Sequence, residues 1–256
     1  MADGGALAGR TVLVTGGNGG IGLGMAAGCA RAGAGIVIWG RDGDKIERAV
    51  EELSALGTTA HAFTCDVTDA SAVATTFAAS VDVAGGRIDA VFANAGTTGN
   101  GTPFVDLPLE EWRRVLRTNL DGVFLTLQAA ARHMVDRGEG GALVAVSSTS
   151  AVHGAAGNEA YGASKTAVLG LVRALAVGLA RHGIRVNALL PGWTRTELAA
   201  PGYASDRFRE ATIRRTPARR WADPSEMGSA AVFLADPTTT FHTGDSVTVD
   251  GGYTVF

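Results

Sequence analysis

The segment TVLVTGGNGGIG, Thr11–Gly22, joins a short apolar strand to a glycine-rich loop and then to the start of a helix. Glycines let the backbone approach a ligand closely, and the amino end of a helix favours negative charge. The loop alone is also compatible with an ordinary structural turn. A strand, such a loop, a helix and a second strand in this order favour a site for the pyrophosphate of a dinucleotide.

The composition predicts a large α/β domain. Of 256 residues, 46% are hydrophobic and 18% are charged, so we expect a large core and little disorder. The net charge is −3, with no basic tail or stripe, and nucleic acid is therefore not expected as a partner. Cys29 and Cys65 indicate a reducing compartment rather than a disulfide scaffold. The five histidines do not follow metal-ligand spacing, so no metal site is predicted.

Two features bear on localisation. The amino terminus carries Asp3 and no apolar stretch, so a signal peptide is not expected. The twenty uncharged residues between Arg10 and Arg31 reach membrane-spanning length, but seven glycines together with Thr15 and Asn18 make them poor membrane material. We expect a soluble, cytoplasmic protein without membrane contact.

Short apolar runs alternate with longer helical stretches along the whole chain. Such runs are typical of parallel strands buried on both faces. The predicted strands are Thr11–Thr15, Gly35–Trp39, Thr59–Thr64, Ala90–Ala93, Ala142–Val146, Arg185–Leu190 and Ser246–Val249. The predicted helices are 20–32, 42–56, 68–84, 107–135, 159–182 and 225–235. Without a linker or repeat, residues 1–256 are predicted to form one doubly wound Rossmann domain, a seven-stranded parallel sheet with helices on both faces.

A series of motifs follows the glycine-rich loop, whose spacing is Gly16-x3-Gly20-x-Gly22. In chain order they are Asp66-Val67, Asn94-Ala95-Gly96, Asn119, Ser147-Ser148, Tyr161-x-x-x-Lys165, Pro191-Gly192 and Asp250-Gly251-Gly252. Over essentially its whole length the chain resembles the short-chain dehydrogenase/reductase family, and it is similar to the sugar-acid dehydrogenase and 3-oxoacyl reductase branches. The resemblance implies hydride transfer between a nicotinamide cofactor and an alcohol or carbonyl carbon of a small molecule.

Tyr161 and Lys165 are four residues apart and therefore share one face of the predicted helix. The ordinary tyrosine pKa of about 10 is too high for a base at neutral pH, and a nearby ammonium should lower it. The pair is therefore interpreted as a general acid/base in which Tyr161 exchanges the proton of the substrate oxygen. A Tyr–Lys contact on a solvated helix face is the alternative, but it fits poorly because this helix is otherwise apolar.

Ser148 follows a strand at its carboxyl end, where doubly wound sheets bind ligands. Its hydroxyl can donate to the substrate oxygen as charge develops there. Ser147, Thr149 and Ser150 are competing hydroxyls, and the family's spacing to Tyr161 selects Ser148.

Asn119 has a role that only the resemblance implies, which is to order a water behind Lys165 in a proton relay. A polar residue that bends its helix is the alternative.

The resemblance also implies a set of cofactor contacts. They are Gly16, Asn18, Gly19, Gly20, Ile21, Gly22, Arg41, Asp66, Val67, Asn94, Ala95, Gly96, Tyr161, Lys165, Pro191, Gly192, Thr194 and Thr196. NAD-specific members carry Asp where this chain has Gly40, and Arg41 can offer a charge-assisted fork to a 2′-phosphate. Gly19 lacks the second basic residue of many NADP-dependent relatives, and Asp42 either contacts the ribose or caps the next helix. We expect NADP(H) to be favoured and NAD(H) to be possible.

The substrate pocket is predicted near residues 98–104 and 150–158 and beneath a lid, 193–221, that holds several aromatic side chains. We expect a small polar secondary alcohol or ketone, with a sugar or sugar acid favoured. His153 is assigned either to the pocket or to a surface loop. The arginines between 207 and 220 form either an anion site or a solvated helical face, and the solvated face is favoured.

The apolar helices 107–135 and 159–182 need covering, either by the chain's own loops or across a two-fold axis. Because the family often adds a second interface, here 225–256, a homotetramer is predicted, with a dimer as the alternative. Two other function classes are a methyltransferase, which would not need the Tyr161–Lys165 pair, and a non-catalytic dinucleotide sensor.

Overall fold

The structure, a computed structural model, describes residues 5–154 and 156–256. Asp3, on which the signal-peptide argument depends, lies outside the described residues. The sheet contains β1 Thr11–Thr15, β2 Gly35–Gly40, β3 Ala60–Thr64, β4 Ala90–Ala93, β5 Gly141–Val146, β6 Ile184–Pro191 and β7 Ser246–Val249. All neighbouring strands are parallel, in the order β3-β2-β1-β4-β5-β6-β7. The predicted seven-stranded doubly wound sheet is confirmed.

Helices cover both faces of this sheet. They are α1 Gly20–Arg31, α2 Gly43–Ser54, α3 Ala70–Val83, α4 Leu109–Leu116, α5 Gly122–Arg137, α6 Glu159–Leu179, α7 Ala200–Ala204, α8 Asp206–Arg215 and α9 Gly228–Ala235. Short 3₁₀ turns lie at Phe104–Asp106, Thr149–Ala151, Ala180–His182 and Pro224–Met227.

The predicted helix 107–135 is in fact two helices. A π-helical turn, Arg117–Asp121, separates α4 from α5, and α5 continues to Arg137. The apolar pattern continues through such a turn, so the interruption was not visible as a change of period. The structure also forms α7 and α8 within the segment 193–221, which was predicted as a lid with a helical face among its arginines.

Alternate residues of the central strands enter two separate cores. Val12 and Val14 pack with Met25 of α1 and Leu234 of α9, whereas Leu13 packs with Leu127 of α5 on the other face. All six side chains are fully buried or nearly so. Burial on both faces explains why the strands read as continuous apolar runs rather than as alternating ones.

Helix α1 approaches the carboxyl-terminal segment closely because both sides carry glycine. A Cβ added at Gly28 would lie 2.5 Å from Gly228 Cα, and one added at Gly24 would lie 2.1 Å from the carbonyl oxygen of Pro224. Both atoms belong to the backbone, so neither clash can be relieved by a rotamer change. This contact fixes α1, and with it the glycine-rich loop, against the chain's last helix.

We therefore expect Gly28→Ala to lower the free energy of unfolding by about 1–3 kcal/mol through overpacking. Gly43→Ala is the matched control, because a Cβ at Gly43 meets nothing within 4 Å, and it should be neutral or slightly stabilising. Urea denaturation of both variants measures the difference. Equal stability of the two variants would show that α1 and α9 can separate at little cost.

Candidate active site

The glycine-rich loop between β1 and α1 has a backbone that only glycine accommodates easily. Gly16 and Gly20 have φ of 64° and 51°, and a Cβ on Gly22 would lie 2.1 Å from the carbonyl oxygen of Gly16. Helix α1 starts without a side-chain cap, since its N-cap residue is Gly19. Its first backbone N–H groups are therefore available to an anion, and the loop fits a diphosphate.

Asn94 braces this loop from the neighbouring strand β4. Its Nδ2 donates to the backbone oxygens of Thr15, at 2.9 Å, and Gly16, at 3.3 Å. In return, the Thr15 hydroxyl accepts from the backbone N–H groups of Asn94 and Ala95, at 3.0 and 3.1 Å. The side chain of Asn94 is therefore used to hold the loop, a supporting role that the proposed cofactor contact did not include.

Tyr161 and Lys165 lie one turn apart near the start of α6, where the side chain of Lys165 is almost completely buried. The Lys165 Nζ lies 5.6 Å from the centre of the Tyr161 ring and donates to the backbone oxygen of Val146, at the end of β5, at 2.8 Å. Ser148 lies two residues after that strand, and its side chain is close enough to Tyr161 to lower the pKa of the phenol. The structure thus brings three of the four predicted catalytic residues together at the carboxyl end of β5.

The electrostatics of the pair differ in part from the sequence expectation. Burial raises the pKa of Tyr161, and the hydrogen bond with Ser148 offsets part of that rise. Burial also lowers the pKa of Lys165 to about 8. The expected lowering of the Tyr161 pKa by the ammonium was therefore wrong in direction, because desolvation of the phenolate outweighs it. At neutral pH Tyr161 is a phenol, that is, a proton donor.

The neighbouring hydroxyls have other partners. Ser147 donates to the backbone oxygen of Lys165 at 2.8 Å and so ties α6 to β5. Thr149 is buried at the start of a 3₁₀ turn, and the backbone N–H of Ser150 donates to the Ser148 hydroxyl at 3.1 Å. Among these four residues, Ser148 is the one whose side chain lowers the pKa of Tyr161.

Asn119 is fully buried within the π-helical turn. Its Oδ1 accepts from the backbone N–H of Thr97 at 2.8 Å, and its Nδ2 donates to Thr97 O at 2.9 Å and to the Ser164 hydroxyl at 3.1 Å. With these bonds its amide links the segment after β4 to α6. A water in the expected relay would therefore have to bind the backbone carbonyl, not this side chain.

The end of β2 forms the nucleotide end of the cleft. Asp42 accepts a hydrogen bond from the backbone N–H of Lys45 at 3.1 Å, so it caps α2, the simpler of its two predicted roles. A Cβ on Gly40 would lie 2.6–2.9 Å from the side-chain amide of Asn18. Arg41 is exposed. The pKa of Asp66 is lowered mainly by hydrogen bonding from Thr68, with a contribution from the charge of Arg41.

The remaining predicted cofactor contacts surround the same cleft. A Cβ on Gly20 would lie 3.2 Å from Thr196 Cγ2, which places the segment after β6 over the glycine-rich loop. Thr194 is buried and donates to the backbone oxygen of Gly192 at 3.0 Å. Val67 and Ile21 are committed to packing, since Val67 is buried against Gly122 and Ile21 packs on the core.

The aromatic residues of the segment 193–221 pack mainly against one another. Trp193 stacks on Trp221 with ring centres 5.0 Å apart and meets Phe208 edge-on at 5.1 Å, while Tyr203 lies 5.0 Å from Trp221. They form a small core of the segment's own, in which Trp221 is 2% exposed.

Arg207, Arg209 and Arg214 lie on α8 as the solvated helical face that the sequence favoured, whereas Arg219 and Arg220 follow the helix. Arg209 pairs with Asp206 at 2.6 Å, and Arg220 pairs with Glu226 at 2.6 Å. Arg215 differs, because its guanidinium lies 4.3 Å from the centre of the Tyr253 ring. Sequence reasoning missed Tyr253, although it directly follows the Asp250-Gly251-Gly252 motif.

Comparison with known proteins agrees with this arrangement. A family profile described as enoyl-(acyl carrier protein) reductase matches residues 16–254. The chain is 39% identical to an L-rhamnose 1-dehydrogenase (NAD(P)(+)) from Azotobacter vinelandii, over 95% of this chain and 96% of the relative. It is 37% identical to a gluconate 5-dehydrogenase from Gluconobacter oxydans, over 97% and 96%. A gluconate 5-dehydrogenase from Burkholderia cenocepacia, solved with NADP and tartrate, superposes with a TM-score of 0.91 at 35% identity, over 98% and 97%.

Proposed function

The chain belongs to the short-chain dehydrogenase/reductase family of NAD(P)(H)-dependent oxidoreductases acting on CH–OH and C=O groups. From this premise we propose that it interconverts a secondary alcohol and a ketone on a small sugar or sugar acid. The observation that carries the proposal is the Tyr161–Lys165 pair, whose lysine is buried at the end of β5 and whose tyrosine has the side chain of Ser148 beside it. The named relatives that act on rhamnose and gluconate support a polyhydroxylated substrate.

The residues of the cleft divide the work. The cofactor, when bound, supplies or accepts the hydride. In the reductive direction the phenol of Tyr161 donates its proton to the substrate oxygen, and the Ser148 hydroxyl donates a hydrogen bond to the same oxygen as negative charge develops. Lys165 then stabilises the phenolate that remains. In the oxidative direction the same phenolate takes the proton of the alcohol.

The competing classes are less well supported. A methyltransferase has no use for a buried tyrosine and lysine one helical turn apart, and a dinucleotide sensor has no use for a hydroxyl aimed at the tyrosine. The relatives named above are dehydrogenases.

Removing the phenolic oxygen tests the acid/base assignment. Tyr161→Phe should reduce kcat at least about 100-fold, as expected for loss of a general acid/base, and should leave the dissociation constant of NADP(H) within about twofold. Tyr203→Phe, which removes the same atom from the 193–221 segment, is the matched control and should keep wild-type turnover. Steady-state kinetics on a panel of sugars and sugar acids, with cofactor titration by fluorescence, gives both numbers. Near-wild-type kcat in Tyr161→Phe would refute the assignment.

The pH dependence follows from the same pair, whose protons are coupled. Burial raises the pKa of Tyr161 and lowers that of Lys165 to about 8. Oxidation needs the deprotonated phenol, so kcat/KM for oxidation should rise from about pH 7 to about pH 10 while that for reduction falls. The pKa of His153 is lowered from the ordinary histidine value of 6.5, so an apparent pKa below 6.5 would instead assign the proton transfer to that residue.

The preference for NADP(H) over NAD(H) is supported by the exposed Arg41 and by the absence of an acidic side chain at Gly40. Space at Gly40 is limited by the Asn18 amide, so Gly40→Asp must displace that side chain as well as add a charge. Gly19 is different, because a Cβ there meets nothing within 4 Å. The open position can accept the second basic residue that this chain lacks.

We expect Arg41→Ala to raise KM for NADP⁺ about 10-fold, the loss of one charge-assisted contact, with KM for NAD⁺ within about twofold. Gly19→Arg should lower KM for NADP⁺, and Arg48→Ala on the exposed face of α2 is the control. Initial rates with both cofactors provide the comparison. A wild type with higher kcat/KM for NAD⁺, together with unchanged NADP⁺ use in Arg41→Ala, would reverse the preference.

We propose that the protein is cytoplasmic and assembles as a homotetramer. The exposed apolar surface supports the assembly. The helical stretch Glu159–His182 is long and apolar enough to cross a membrane, yet it packs on β6 and holds Tyr161 and Lys165. Only 28% of its most apolar window is buried within the monomer, and Val177 on this helix is 83% exposed. A second copy of the chain is the cover that leaves the active site intact. The exposed Phe241 and Phe256 near the chain's end support a second interface.

A further inference from the structure

A second polar cluster lies beside the catalytic residues, centred on the ring of Tyr253. The Arg215 guanidinium lies over this ring, 4.3 Å from its centre, with Nη1 3.3 Å from the phenolic oxygen. His153 meets the ring edge-on at 5.2 Å, and Trp193 does so at 6.3 Å. Arg215 Nη2 also lies 3.4 Å from His153 Nδ1. These four residues are called the Tyr253 cluster below.

Two N–H donors of the Tyr253 cluster have no hydrogen-bond acceptor among the described residues. A guanidinium can only donate, so the Nδ1 of His153 that faces Arg215 must accept. Burial and the charge of Arg215 lower the pKa of His153, so its ring is neutral at pH 7 and carries its proton on Nε2. That Nε2 is buried and has no hydrogen-bond partner among the described residues, and the same holds for the indole Nε1 of Trp193.

Unused buried N–H groups are costly, and where they occur in pairs they indicate an acceptor that the protein itself does not supply. Asp250 is a carboxylate close enough to raise the pKa of His153. Its oxygens accept from the backbone N–H groups of Gly252 and Thr254 at 2.8 and 2.7 Å. Asp250 is therefore committed to its own turn. The cluster presents one cation and two neutral donors, a set that matches the oxygens of an anion.

Topology places the Tyr253 cluster at the substrate side of the catalytic residues. His153 follows β5 by a few residues, as Ser148 does, while Trp193 follows β6 and Tyr253 follows β7. These three strands are neighbours in the sheet and are parallel, so their carboxyl ends share one edge. The nucleotide end of the cleft, at β2, lies on the opposite side of β5.

We propose that Arg215, His153 and Trp193 form a subsite for the carboxylate of the substrate, so that the enzyme acts on polyhydroxy acids in preference to neutral sugars. This inference rests on the proposed function and specifies its substrate class. Arg215 binds one carboxylate oxygen by a charge-assisted bond, and the His153 and Trp193 N–H groups donate to the oxygens that face them. A neutral sugar would satisfy the two N–H donors but leave the guanidinium without its counter-charge.

The test compares five- and six-carbon aldonates with their uncharged aldonamides, using NADP⁺ and the full-length protein. Wild type should show kcat/KM at least about 10-fold higher for an aldonate than for its amide, as one charge-assisted bond predicts. Arg215→Ala should remove that difference by raising KM for the aldonate while kcat and the amide's KM stay within about twofold. Arg214→Ala, the same charge change one residue away on α8, should preserve the difference.

Two His153 variants separate a binding role from a packing role. His153→Phe keeps a ring against Tyr253 but removes the N–H, and it should raise KM for the aldonate about 5- to 10-fold, whereas His153→Gln, which keeps a donor, should recover part of this loss. A packing role would instead lower Tm in both variants and raise KM for acids and amides alike, which would overturn the assignment of His153.

The outcomes distinguish the inference from its premise. Equal use of aldonates and aldonamides by wild type, or turnover of neutral sugars only, overturns the carboxylate subsite and leaves the proposed oxidoreductase function standing. A selectivity for aldonates that survives Arg215→Ala overturns the assignment of Arg215. Failure to oxidise or reduce any member of a broad sugar and sugar-acid panel would refute the proposed function itself.

Discussion

A buried ammonium is the constraint on which the rest of the site depends. Lys165 is 3% exposed among the buried residues of α6, most of which are apolar, and desolvation alone would be expensive for a charged amine. One strong acceptor, the carbonyl of Val146 at the end of β5, lies 2.8 Å away. The Ser147 hydroxyl returns a bond to the backbone of Lys165. These bonds hold strand β5 and helix α6 together at the proposed site of the chemistry. They also fix the position of Tyr161, which lies one turn before Lys165 on the same helix.

The glycine-rich loop is held by a comparable exchange of bonds on the other side of the sheet's centre. Thr15 ends β1 and Asn94 follows β4, and the two side chains bond each other's backbones. The strand order changes direction between β1 and β4, and at such a switch point the following loops diverge and leave a crevice. Cross-strand bonds at this point keep the crevice's two walls in register, which a flexible loop of glycines could not do by itself.

The sequence was sufficient for the features that depend on short-range patterns. The seven strands could be predicted because burial on both faces makes each one a compact apolar run. Ser148 could be placed at the cleft because strand ends in a parallel sheet converge, whereas Tyr161 and Lys165 were placed by their four-residue spacing on a helix and by the family resemblance. Three features depended on the folded environment instead. The π-helical turn at Asn119 leaves the apolar pattern of the helix unbroken, so the sequence pattern does not reveal it. The direction of the Tyr161 pKa follows from burial, which is set by distant segments. The contact of Arg215 with Tyr253 joins residues 38 apart.

Arg41 and Arg215, both exposed, would let an acidic protein attract the anionic ligands proposed for it. The net charge is −3. Arg41 follows β2, and Arg215 lies on Tyr253, which follows β7. The strands β2 and β7 are five spacings apart in the sheet, or about 24 Å at 4.8 Å per strand. Tyr161 and Ser148, beside β5, lie between them, about three spacings from one and two from the other. A cation at each end of the cleft, with the Tyr161–Lys165 pair in the middle, would orient a cofactor and a substrate whose charges lie at their outer ends. The field that a ligand meets in a cleft is set by the local charge distribution rather than by the net charge. The reacting carbon and the nicotinamide ring are uncharged or singly charged, so they fit the desolvated centre in which Tyr161 is proposed to exchange its proton.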